Sequence, residues 1–242
     1  MLRQGIRETS ILQKYPIGYR FAEKGGIGDR IFRYGKADLA LATKYGAANG
    51  DTLHFMNTAV AAYAGDQDLT VVIGGPAPAV FDVGYVKDQF KNGYITIHTA
   101  IVQTCLKIKG NDVDDGTNVV LHLEEPLLLD TPLPTFVEIH ENKYHSIVPM
   151  NAVGYQSVVV VPTVPVPINH FFWGQTWGEC LCTAAFGGGI GGAINQRSVY
   201  FQDDGGIGDF TSLAGDFQYA GFLLPTTRAA APNIHFMLQL AP

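Results

Sequence analysis

From residue 69 onward the hydrophobic pattern is one of short strands: apolar and polar residues alternate with a period of two over 94–101 and 234–240, and 157–161 is a continuous apolar run. Such alternation is typical of strands that bury one face, because successive side chains of a strand point to opposite sides. The predicted strands are 69–73, 94–101, 105–109, 119–123, 157–161, 198–201, 217–224 and 234–240. Turns rich in Gly, Pro, Asp and Asn separate them. This pattern predicts an all-β fold, a β-sandwich or β-barrel built from short antiparallel strands.

The most aromatic stretch is 170–178, His-Phe-Phe-Trp-Gly-Gln-Thr-Trp-Gly, which contains both tryptophans, Trp173 and Trp177. An apolar run over 180–186 and a glycine cluster over 187–192 follow it. We interpret this segment as the central hairpin of the C-terminal half. Both indoles are expected in the core, since each ring can bury about 150–250 Å². The alternative is that the two rings line a ligand pocket.

The first 34 residues are apolar in part but have no regular period. They predict an extended N-terminal arm that needs another surface to become ordered. Basic and apolar residues alternate over 30–34, which predicts a half-buried edge strand. Glycines interrupt the helix formers of 36–63, so we do not predict a helix of three turns there. The predicted division is an arm over 1–34, a first β-rich part over 35–150 and a C-terminal barrel or sandwich over 151–242, where the last two could form one continuous domain.

The charge content is low, with 16% charged residues and a formal net charge of −6 over 242 residues. A neutral, glycine-rich surface favours a component of a larger assembly over a freely diffusing enzyme. Nucleic acid is not an expected partner, because the negative charge is offset by no Lys/Arg cluster. No apolar run reaches the ~20 residues that span a bilayer, so no membrane partner is expected. Cys105, Cys180 and Cys182 are expected to be buried thiols made in a reducing compartment.

Motifs for catalysis or metal binding do not emerge from the sequence. The seven histidines are scattered, without His-x-His, His-Glu-x-x-His or a Gly-x-Ser-x-Gly elbow. The acidic turn over 110–116 fails as the start of a calcium loop, because in a loop that begins at Asn111 the third position is Val113 and the twelfth is His122. The sequence therefore predicts a protein that is not an enzyme, with no catalytic residues, no metal and no cofactor.

Three short motifs carry a resemblance to a known group of proteins. They are Gly28–Ala37 with its Arg-Ile-Phe-Arg-Tyr core, Asn142–Tyr144 leading to Ser157–Val160, and Phe172–Gly178. Together they resemble a recurrent pattern in tailed-bacteriophage virion proteins. The resemblance implies a capsid decoration, or cement, protein, which binds the outer face of an assembled shell, often as a trimer.

The sequence-based hypothesis is therefore a non-enzymatic virion structural protein that binds and stabilises the exterior of a phage capsid. Its expected partners are the major capsid protein and sister copies in a homotrimer, after synthesis in the host cytoplasm. The alternative is a carbohydrate-binding or host-attachment module of a virion that uses an aromatic platform. The predicted interface lies on the arm and the edge strand, at Ile11, Tyr15, Tyr19, Phe21, Arg30, Phe32, Arg33 and Tyr34.

Overall fold

The structure, a computed structural model, describes residues 3–23, 30–50, 53–73, 84–151, 156–185, 190, 197–209, 218–224 and 233–242. Within them the chain forms strands and turns and no helix, so the all-β prediction is confirmed. The predicted turns over 25–29 and 74–76, and most of the glycine cluster over 187–192, lie outside the described residues.

The strands are short, as the alternation predicted, with one long exception. Their bounds are β1 Arg20–Ala22, β2 Ile31–Lys36, β3 Ala47–Asn49, β4 Leu53–Thr58, β5 Asp68–Val72, β6 Tyr94–His98, β7 Gln103–Asn111, β8 Asn118–Leu123, β9 Phe136–His140, β10 Ile147–Pro149, β11 Val158–Pro162, β12 Phe171–Thr183, β13 Ser198–Phe201, β14 Ile207–Gly208, β15 Gln218–Leu223 and β16 Asn233–Gln239. All the named pairs between them are antiparallel.

The chain divides into two compact units, one of residues 1–51 with 144–242 and one of residues 52–143. This division differs from the predicted ranges of 1–34, 35–150 and 151–242. In the sequence, the second unit is a continuous segment inserted between the two parts of the first. Its first and last strands, β4 and β9, pair with each other. Sequence alone gives no sign of this, because strands on both sides of each junction share the same alternating pattern.

Residues 52–143 fold into a closed barrel with the strand order β4-β5-β8-β7-β6-β9. Every second residue points inward and is buried, as in β5, β6 and β8. The interior is filled by aliphatic side chains, among them Leu69, Ile95, Ile108, Leu121 and Val137. Closure removes the unpaired edges that an open sheet of six short strands would leave.

The other unit contains a ten-stranded sheet with the order β10-β3-β11-β12-β16-β15-β13-β14, to which β2 and β1 add beside β12. The long strand β12 organises it, because it pairs with β2, β11 and β16. The predicted hairpin of the tryptophan strand with the following strand is wrong. β12 pairs with β16, near the end of the chain, whereas β13 pairs with β14 and β15.

Two of the three cysteines are buried as predicted. Cys180 and Cys182 lie two apart on the buried face of β12, and burial raises the pKa of the Cys182 thiol well above its usual value. Cys105 in the barrel is exposed, so the prediction is wrong there. Its neighbour in the alternation, Leu106, occupies the inward position instead.

Candidate binding surfaces

The N-terminal arm packs on the sheet of its own chain around Trp173. The indole is fully buried, at 0% exposure, and its ring lies 5.0 Å from the rings of Tyr15 and Tyr34 and 5.8 Å from that of Phe21. Its Nε1–H donates a 3.1 Å hydrogen bond to the backbone carbonyl of Gln4. The expectation that the arm needs another molecule's surface is therefore wrong for this structure, since its aromatic side chains cover β2 and β12.

Gln4 anchors the beginning of the arm, a role that the sequence did not predict. Its side chain is buried, accepts a 2.7 Å hydrogen bond from the Tyr34 hydroxyl and donates a 3.0 Å bond to the Phe171 carbonyl. A lone glutamine in an aperiodic segment carries no sequence signal for such a role. Only the proximity of β2 and β12, more than a hundred residues apart in sequence, creates its partners.

The eight predicted interface residues differ in burial and in their contacts. Phe32 and Tyr34 are completely buried in the chain's own core. Tyr15 and Phe21 pack on the same cluster and are partly buried. Arg33 donates hydrogen bonds to the carbonyls of Gly18 and Pro242, and Arg30 pairs with Glu23. Ile11 and Tyr19 remain exposed.

The prediction that 30–34 is an edge strand is also wrong. β2 pairs with β1 on one side and with β12 on the other, so Ile31, Phe32 and Arg33 have neighbours in both directions. The alternation of basic and apolar residues indicated a strand correctly. It could not show whether one or two neighbours flank that strand, because that depends on residues far away in sequence.

The two tryptophans have different environments. Trp173 is buried as predicted, whereas Trp177 lies on β12 with its side chain only partly buried. A fully buried ring cannot stack on a sugar. Trp173 therefore cannot belong to the aromatic platform of both indoles that the alternative function requires.

A cleft of about 430 Å³ lies beside β12. Its walls carry three cationic side chains, Arg7, Arg30 and Lys44, together with Glu179 and His235. The His235 Nδ1 lies 3.2 Å from the Glu179 carboxylate. Neither Arg7 nor Lys44 has a side-chain partner among the described residues. The cleft therefore offers unpaired positive charge next to a strand.

A second polar group is on the outside of the barrel. His122 lies between two carboxylates, with Nδ1 2.7 Å from Asp68 and Nε2 3.4 Å from Asp112. The hydrogen bond to Asp68 is the main cause that raises the pKa of His122 above its usual 6.5, and Asp112 adds to it. Burial acts in the opposite direction.

We expect the stability of the barrel to depend on pH through His122. Because its pKa is raised on folding, the contribution is fully present below the ordinary pKa of 6.5 and is lost as pH rises through the higher folded pKa. NMR titration of the ring should show the raised pKa, and Asp68→Asn should lower it. An unchanged pKa in Asp68→Asn would contradict this.

A buried pair of one histidine and one glutamate lies inside the barrel, at the end where β4 begins and β9 ends. His54 Nε2 lies 3.1 Å from Glu141 Oε1, and the Tyr85 hydroxyl lies 3.3 Å from His54 Nδ1. The Gln89 amide donates a 2.8 Å bond to the same Glu141 oxygen. Since His54 and Glu141 are both buried, this network links β4 to the residues after β9 rather than facing solvent.

The opposite end of the barrel carries exposed apolar side chains on three connections. The register places the β4–β5, β6–β7 and β8–β9 connections at this same end, since Asp68 pairs with His122 and His98 with Phe136. Ile101, at the tip of the β6–β7 turn, is 88% exposed. We call this set the apolar rim; its members are Val60, Tyr63, Ile101, Val102, Leu128, Leu129 and Leu133.

Hydrogen bonds hold the connections of the apolar rim in place. Ala62 and Thr131 form a bridge between the β4–β5 and β8–β9 connections. The Asp130 carboxylate accepts a 2.9 Å bond from the Ala64 N–H of the neighbouring connection. The Thr99 hydroxyl accepts a 3.1 Å bond from the Val102 N–H and so closes the β6–β7 turn. The apolar side chains are therefore displayed on a fixed backbone.

Two further features of the described ranges concern metal ligation and membrane-spanning helices. No three His, Cys, Asp or Glu side chains come together there in a way that could hold a metal ion. Over the same residues, no helix has the length and apolar character needed to cross a membrane.

The chain matches no protein-family model, no curated protein and no solved structure.

Proposed function

We propose that this chain is a non-enzymatic virion structural protein that attaches to the exterior of a phage capsid through the apolar rim of its barrel. The observation that carries the proposal is the gathering of seven exposed apolar side chains on three connections at one barrel end. Large exposed apolar groups on one part of a fold mark interaction sites. Loops that are already ordered lose less conformational entropy when they bind.

The resemblance of three sequence motifs to tailed-phage virion proteins gives the partner class, the major capsid protein. The low charge of the chain fits the same proposal, since the core of a protein interface is poor in charged residues. The proposed assembly is a homotrimer on the shell. Sedimentation velocity tests this state, because a trimer has three times the 26.2 kDa mass of one chain.

Introducing charge into the apolar rim should strongly weaken attachment. We expect Ile101→Asp combined with Leu128→Asp to reduce co-sedimentation with capsids that lack this protein by at least about tenfold, because each buried carboxylate carries a large desolvation cost. Both positions are exposed in the free chain, so its unfolding midpoint should change little.

The matched control is Val113→Asp, which adds a charge at an exposed valine in the β7–β8 turn at the other barrel end. It should bind capsids like the unmodified chain. Full binding by the Ile101/Leu128 double variant would show that the rim is not the attachment surface. Equal losses in the control and the double variant would show that net charge, not the rim, governs binding.

A further inference from the structure

The edge of β12 that borders the cationic cleft is unpaired over a short segment. On this edge β11 pairs with β12 only at Val161↔Gln175 and Pro162↔Gly174, and then it diverges to pair with β3. The next bond on the edge is the 2.9 Å hydrogen bond from the Thr183 N–H to the Lys44 carbonyl. Between these points, no strand of the described residues pairs with β12 on this side.

The register of β12 with β16 shows which backbone N–H and C=O groups of β12 point toward the cleft. Leu181 stands opposite His235, whose carbonyl accepts a bond from the N–H of Leu224, the residue after β15, on the far side. The two residues therefore form a non-hydrogen-bonded pair, and the N–H and C=O of Leu181 point away from β16. The same alternation turns the N–H of Glu179 toward the cleft, and the Thr183 N–H agrees with it.

A side chain partly occupies this edge. The Gln175 amide donates to the carbonyls of Trp177 and Glu179, at 3.1 and 2.8 Å. The amide thus bonds two carbonyls that would otherwise accept hydrogen bonds from the N–H groups of a neighbouring strand. The N–H of Glu179 and both backbone groups of Leu181 remain, and none of them has a hydrogen-bond partner among the described residues. They lie between the Gln175 amide and Lys44.

The charges around the edge indicate what kind of chain would bind there. Arg7 and Lys44 line the cleft without ion-pair partners among the described residues. Arg30 lies in the same wall, although Glu23 already holds it at 2.6 Å. Glu179 is the one carboxylate among the described residues of the lining, and His235 contacts it. The free positive charge therefore favours acidic side chains in the occupant.

We propose that the cleft binds an extended, acidic segment of a partner polypeptide, which adds as a short strand to the free edge of β12 at Glu179 and Leu181. The backbone groups of this edge supply the hydrogen bonds of strand addition. Arg7 and Lys44 select for carboxylates on the added segment. This proposal is independent of the capsid assignment, because it concerns another surface and needs no capsid for its test.

Amide hydrogen exchange in the free chain tests the edge itself. We expect the N–H groups of Glu179 and Leu181 to exchange roughly a hundredfold faster than those of Cys180 and Cys182, which point toward β16. Equal protection of all four amides would mean that the edge is already paired in the free chain. That result would overturn the proposal.

A defined peptide tests the ligand. The probe is a capped octapeptide of alternating valine and glutamate, and the control probe carries lysine in place of glutamate. We expect the acidic probe to slow exchange at Glu179 and Leu181, and to bind more weakly as salt concentration rises. The double variant Arg7→Gln with Lys44→Gln should weaken binding about tenfold, whereas Lys91→Gln, an exposed lysine of the barrel, should leave it unchanged.

The remaining outcomes also decide the proposal. Binding of the acidic probe without protection of the two amides would identify a carboxylate site and reject strand addition. Equal binding of the acidic and basic probes would reject the selection by Arg7 and Lys44. No binding of the acidic octapeptide at millimolar concentration would reject the site.

Discussion

Replacing Trp173 by alanine should lower the free energy of unfolding by about 3–5 kcal/mol, the usual cost of removing a large buried aromatic side chain. The indole is completely buried and stands at the centre of the arm's contacts. Its removal leaves a cavity beneath Tyr15 and Phe21 and takes the donor from the Gln4 carbonyl. Urea unfolding followed by circular dichroism measures the loss.

The same substitution should release the arm. Arg7, Lys14 and Arg20 lie in this segment and are trypsin sites, so limited trypsin digestion should cut the variant within residues 3–23 sooner than the unmodified chain. Trp177→Ala is the matched control, because Trp177 is only partly buried and makes no ring contact with the described residues of the arm. It should cost about 1–2 kcal/mol and leave the digestion unchanged. Equal effects of the two substitutions would contradict the central role of Trp173.

Replacing Gly221 by alanine should cost about 2–5 kcal/mol and is the second large effect we expect. Gly221 lies in β15 with a φ of +147°, a conformation that side chains rarely adopt. A Cβ there would stand 1.8 Å from the Met237 carbonyl oxygen on β16. Since that atom is backbone within a strand pair, the β15–β16 ladder would have to shift. The change in unfolding midpoint measures the cost.

Gly65→Ala provides the control for backbone strain alone. Gly65 has a φ of +100°, and an added Cβ would meet no atom within 4 Å. Its substitution should therefore cost about 1–2 kcal/mol, without the steric part. If Gly221→Ala were no more destabilising than Gly65→Ala, the close approach of β15 and β16 would not hold in solution.

The candidate surfaces were only partly accessible from the sequence. Strand character at 30–34 was visible in the alternation, but β12 covers one side of that strand and β1 the other. Ile101 belongs to the predicted strand 94–101 and keeps the period of Ile95 and Ile97, which are buried, yet it is exposed because β6 ends at His98 and the β6–β7 turn follows. The cationic cleft had no local signal, since Arg7, Lys44 and Glu179 come from three distant segments.

The sequence by itself determined the fold class and the position of most strands, because a period-two pattern is a local property of the chain and requires only one buried face. It also predicted the burial of Trp173, Cys180 and Cys182 correctly, but the same reasoning predicted burial for Trp177, which is only partly buried, and for Cys105, which is exposed. Only the tertiary structure decided which strands pair, and with it the closed barrel, the partners of β12 and the packing of the arm. Pairing joins strands far apart in sequence, such as β12 with β2 and β16. Many strands share this alternating pattern, which predicts the buried face but not the neighbouring strand. β11, which is buried at every position, does not alternate at all.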